Sequence, residues 1–287
     1  MFSDVLSAIA RALSFVAICQ AAGMAIFLAM FGSRLPQAFL RIKAVAMISA
    51  VAGILLVSLH YLLEAARMAG ELAGIFDADL QQLVLNSATS TAAGLRILGL
   101  VLILMAMSYR GVRLAAGALC GAGCVVASFA FVGHTANGQN GAWAPVLLLV
   151  HVAVVTFWFG SLAPLMLVNR MEPRDVAAQI VAQFSRIAAW TVPAILVAGL
   201  ILMTILIGGW AGLNTPYAWV LLAKIGAFAI LMSLAALNRW RFGPALAARP
   251  AAAVPFHRAV LAEYVLIVAV LGATAVLTTF LSPESSM

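Results

Sequence analysis

Charge is what this chain has least of. Of its 287 residues only 9% are Asp, Glu, Lys or Arg, where a soluble domain carries about 25%. At 65% apolar residues, no soluble fold could hide the resulting surface. Cysteine is also scarce. Cys19, Cys120 and Cys124 are the three present, and all fall inside apolar stretches, which excludes a disulfide framework of the secreted kind and leaves buried thiols or soft metal ligands. Catalytic signatures are missing altogether: there is no Gly-rich phosphate loop, no His-Glu-x-x-His and no serine in a nucleophile elbow. The chain is therefore not expected to be an enzyme, nor to drive transport with ATP by itself. A net charge of +7 raises the question of nucleic acid, but the basic residues are spread singly over short loops rather than gathered on one face. No nucleic-acid partner is expected.

What the chain has in quantity is long apolar runs. A hydrocarbon core about 30 Å thick needs roughly 20 residues of apolar helix per crossing. Runs bounded by charged or turn-forming residues predict spans near 5–31, 43–64, 90–108, 113–133, 145–169, 184–208, 216–238 and 259–281. The expectation is an all-α polytopic membrane helix bundle of eight transmembrane helices, with residues 1–287 forming a single transmembrane domain in the lipid bilayer. The first apolar stretch, 12–31, is too long for a signal-peptide core. The only long loop, 65–89, is read as carrying a short surface helix. No internal repeat is evident, and Gly117 with Gly121 forms a small-xxx-small pair suited to close helix packing.

Orientation follows from Lys and Arg, because loops rich in them stay cytoplasmic. Arg34, Arg41, Lys43, Arg110, Arg113, Arg170, Arg174, Arg186, Arg239, Arg241, Arg249 and Arg258 fall on one face, 12 of the 16 basic residues. With eight crossings both termini lie outside.

Ionisable groups inside a membrane are costly, so each marks a candidate site. His60 and Glu64 are one turn apart near the outer end of the second span, on one helix face. His134 sits where the fourth span meets the outer surface, and His151 lies about two turns into the fifth from the same side. Three of the four histidines are thus predicted at similar depth from three different helices. Taken singly, a histidine more often caps a helix or bonds a carbonyl. Convergent imidazoles instead suit copper, zinc or iron.

Cys19, Cys120, Cys124 and twelve methionines add sulfur, which favours Cu(I) where it lines a path, although methionine is also a common core filler. Lys224 and Arg96, within spans, are expected to face the bundle interior, where either can neutralise an acid such as Glu64 or shape a cation path. Glu263, at the start of the last span, is expected to pair with Arg239 and pin two helices together.

Several of these motifs resemble the CopD family of bacterial copper-resistance membrane proteins, which includes the membrane part of fused CopC–CopD proteins. Residues 183–281 are the most CopD-like segment. It has Phe184-Ser185-Arg186 opening a span, Pro216-Tyr217 before Leu221-Leu222-Ala223-Lys224, and Asn238-Arg239 closing the next, with Ala218 where the family usually has glycine. Gly133-His134-Thr135-Ala136 is similar to the family's Gly-His-x-Ala, and His151 with Trp158, Gly160 and Leu162 to its His-x6-Trp-x-Gly-x-Leu helix. Glu263 matches the acidic residue of the last span. The resemblance implies copper movement across the bacterial inner membrane, generally uptake from the periplasm, with a separate periplasmic CopC-like copper-binding partner.

The expected metal ligands are therefore His134, His151 and His60, with Glu64, Lys224, Arg96, Trp158, Cys19, Cys120 and Cys124 along a path or supporting it. Two other readings stay open at this point. Paired histidines on neighbouring spans also suit a haem b electron carrier with two imidazole ligands, and a membrane protein can bind copper without moving it.

Overall fold

The computed structural model describes residues 2–131, 143–207 and 216–280. Among these there is no strand. The long helices are α1 (Phe2–Phe31), α2 (Phe39–Ala69), α4 (Ala88–Ala106), α5 (Gly111–Ala127), α6 (Trp143–Met171), α7 (Arg174–Ile207), α8 (Pro216–Leu237) and α10 (Ala253–Phe280). Two short ones, α3 (Ala78–Leu85) and α9 (Gly243–Ala248), lie in connections. Seven helices of the described chain are long and apolar enough to cross a membrane. Helix α8, 22 residues long, occupies the place of the seventh predicted span. The chain is a polytopic bundle.

Helix ends differ from the sequence reading wherever no breaker intervenes. Helix α7 starts at Arg174, not near 184, because Pro173 suits the residue ahead of a first turn and nothing after it disfavours helix. Phe184-Ser185-Arg186 therefore lies within α7 rather than at its start. Helix α2 likewise begins at Phe39 and takes in Arg41 and Lys43. The predicted surface helix in the long loop is α3, whose first turn is capped by the Asp77 carboxylate accepting from the Asp79 and Leu80 amides.

Helix α1 is the axis of the bundle, packing against α2, α4, α5, α6 and α10. Its most apolar stretch is 72% buried, against 25–39% for the other spanning helices. Composition explains this, because Ala21, Ala22 and Ala25, fully buried, let neighbours approach on several sides. In a membrane such approach, rather than apolar burial, drives association. At Gly23 a Cβ would stand 2.1 Å from the Thr156 carbonyl, and at Gly160 one would stand 2.4 Å from the Gly23 Cα. Backbones of α1 and α6 therefore touch. Helices α4 and α5 meet the same way at Gly99 and Gly121, while Gly117 faces Ala106, so the small-residue pair in α5 is a packing face.

A buried carboxylate fixes the first hairpin. Glu172, after α6, accepts the backbone N–H groups of Gln37 at 3.0 Å and Ala38 at 2.7 Å. These are amides at the start of α2, where a helix has donors without intrahelical partners.

Candidate functional site

Helices α1 and α2 run antiparallel, which brings the start of one beside the end of the other. Ser7 Oγ lies 3.2 Å from His60 Nδ1, and Arg11 Nε donates to His60 Nε2 at 3.1 Å. Nε2 therefore acts as an acceptor and carries no proton, so Nδ1–H is the donor toward Ser7. Arg11 Nη2 also reaches Glu64 Oε1 at 3.3 Å, and Arg67 Nη1 reaches Glu64 Oε2 at 2.8 Å. Asp4 lies 3.5 Å from Arg67 Nε. His60 and Glu64 do share a helix face, as their spacing predicts, with Nε2 and Oε1 3.3 Å apart. Their common partner is Arg11, whose cation neutralises Glu64 and occupies the imidazole lone pair a metal would need.

Arg96 stands next to this cluster but makes no ion pair with Glu64. Its Nε donates to Ser128 Oγ at 3.1 Å, and its guanidinium carbon lies 5.0 Å from the centre of the Phe129 ring and 5.6 Å from that of Phe15. These are cation–π distances.

His151 lies elsewhere. Its ring rests on the backbone of α7, within 3.6–3.7 Å of where a Gly199 side chain would begin. Helix α6 runs parallel to α1 at a constant offset, with Thr156 beside Cys19, 137 residues apart, and Gly160 beside Gly23. On that register His151 is level with Ser14, roughly 5–10 Å deeper than the Ser7–Arg11 turn at 1.5 Å per residue. His60 thus closes onto α1 while His151 lies against α7. His134 lies outside the described residues. Among those described, no three His, Cys, Asp or Glu side chains gather closely enough to hold a metal ion.

The sulfurs separate in the same way. Cys19 is buried, with Thr156 Oγ1 3.7 Å from its Sγ, and Met24 is fully buried further along α1. Cys120, by contrast, is exposed on the outside of α5, with Cys124 half-buried one turn on.

A second polar site replaces the expected Glu263–Arg239 pair. Glu263 is 3% exposed and accepts from Asn238 Nδ2 and the Trp158 side chain. Arg239 is exposed and donates to the Ser185 carbonyl. A π-helical stretch, Asn238–Phe242, follows α8. Asn238 is buried while Arg239, the next residue and about 100° further round the helix, is exposed, a rotation that hydropathy along the sequence does not reveal. Glu263 also lies a third of the way along α10, level with Trp158 near the middle of α6, deeper than the sequence reading had it. Lys224 belongs to α8, and its side chain lies outside the described set.

Arg11, Ser7, Ser128, Thr156 and Glu172 were not picked out as site residues from the sequence. Their common signal is polarity within or beside apolar helix.

The fold and these sites define the class: an all-α polytopic membrane bundle with ionisable groups buried between its helices, which in a membrane mark functional sites. The family comparison is specific. Residues 1–144 match the family described as copper resistance protein D-like, N-terminal domain, and residues 178–277 match copper resistance protein D. The chain belongs to the copper resistance protein D family and is a copper-resistance and copper-homeostasis membrane protein. No curated protein and no solved structure matches it.

Proposed function

We propose that this protein moves copper across the bacterial inner membrane, inward from the periplasm, through a bundle of eight crossings with both termini outside. Family membership over both halves of the chain carries the reading, and the order of soft donors along α1 and α6 supports it. His151 is level with Ser14, then come Cys19 and Met24, each five residues further inward. At 1.5 Å per residue these are steps of about 7 Å. Imidazole followed by thiol and thioether suits Cu(I).

His134 and His151 are the outer ligands in this reading. His60 serves the Arg11–Glu64 cluster instead, since its Nε2 accepts from a guanidinium 3.1 Å away that would repel an incoming cation. The same bond takes the Nε2 lone pair that a haem iron would need. Copper reaches the outer face from a separate periplasmic carrier of the CopC kind.

Alanine at His134 or His151 lowers copper accumulation in cells overexpressing the protein, and Cys19→Ser lowers it further along the same route. Unchanged copper content and copper sensitivity in all three variants refutes the conduit. Uptake into proteoliposomes reads the direction.

A further inference from the structure

We propose that the chamber between Arg96, Arg11 and His60 is a binding site for a small monovalent anion of halide size. A cavity of about 20 Å³ is lined by Arg11, Phe15, His60, Tyr61, Thr89 and Arg96, among others. That volume exceeds what one water needs, and the lining chemistry is cationic. Arg96 is 5% exposed, so its charge is removed from solvent. Its Nε donates to Ser128, and its guanidinium lies over the faces of Phe15 and Phe129. Among the described residues no carboxylate lies within ion-pair range of it, because the nearby Glu64 is held between Arg11 and Arg67.

Nor does the adjoining segment 132–142 contain an Asp or Glu. A buried arginine keeps its proton, and a buried charge without a counter-charge costs several kcal/mol. The Nη donors of Arg96 are left for whatever occupies the cavity. Arg11 also lines the cavity but is paired with Glu64, so the uncompensated charge there is that of Arg96, which the neutral imidazole of His60 does not cancel. Tyr61 and Thr89 carry hydroxyls that can donate to an anion. A polyatomic dianion is too large for the space, which selects chloride or bromide.

The experiment is thermal unfolding of the purified full chain, with sodium chloride replaced stepwise by sodium gluconate at constant ionic strength. Gluconate is too large to enter. Chloride raises the midpoint saturably, by about 5 °C at a hundredfold excess over Kd, bromide does the same, and Arg96→Gln abolishes the response. Equal midpoints in chloride and gluconate mean that the cavity holds only water and overturn the proposal. So does an unchanged halide response in Arg96→Gln. Should Arg96→Gln fail to fold, a substitution at Ala93, which also lines the cavity, replaces it: Ala93→Leu fills the space without altering a charge and must lose the response, and a retained response overturns the site.

Discussion

Replacing Gly23 by alanine tests the axis on which the bundle is built. The new Cβ would lie 2.1 Å from the Thr156 carbonyl oxygen and 2.6 Å from the Gly160 Cα. Both are backbone atoms, so no side chain can rotate aside. A carbon and an oxygen in contact need about 3.3 Å, so α1 and α6 must part by roughly 1 Å at the crossing. A gap of that size forfeits a quarter to a half of the dispersion energy of each atom pair lining it. Overpacking of this kind costs about 1–3 kcal/mol, and a backbone clash belongs at the upper end. With 2–4 °C per kcal/mol for a chain of this order, the thermal midpoint falls by roughly 6–12 °C. Gly94→Ala is the control, because nothing lies within 4 Å of its would-be Cβ and alanine is the better helix former by about 1 kcal/mol. Its midpoint should stay or rise. Gly160→Ala should match Gly23→Ala, and the double variant should cost less than the sum, since one separation relieves both clashes. Equal midpoints for Gly23→Ala and Gly94→Ala would refute the contact, and with it the register used to order His151, Cys19 and Met24.

Two further perturbations probe the buried polar groups by the same unfolding assay. Glu172→Ala leaves the Gln37 and Ala38 amides without their acceptor and should cost about 2–3 kcal/mol, while Glu172→Gln, which keeps a carbonyl oxygen, should cost less; equal losses would show that the carboxylate does not hold the hairpin. Asn238→Leu withdraws a donor from buried Glu263 and should cost about 1–3 kcal/mol, whereas Arg239→Leu should change stability by less than about 1 kcal/mol, as for an exposed charge. A larger loss at Arg239 would restore the pairing expected from sequence.

How much was legible before the structure depended on whether a property was local. Apolar runs bounded by charges predicted each long helix, and His60–Glu64 were read onto one face from a spacing of four. Helix starts were missed at α7 and α2, where the helix runs past the apolar stretch into charged residues and no proline or glycine intervenes. The Glu263 partner was missed by a single residue, because Asn238 and Arg239 point about 100° apart on the helix and hydropathy does not say which of the two faces inward. The shared depth expected for His60 and His151 could not be tested by hydropathy, which gives depth only to within a few residues and says nothing of rotation.

By itself the sequence determined that this chain lies in a membrane, approximately where it crosses, and which family its motifs resemble. These follow from composition along the chain, which neighbouring residues settle among themselves. Only the tertiary structure decided that Arg11 joins His60 to Glu64, that Arg96 is buried with no carboxylate among the described residues in ion-pair range, and that His151 rests on Gly199 rather than beside His60. Such contacts join residues tens of positions apart, through the rotation and depth at which helices pack, and in a bilayer those are set by where small residues let backbones meet.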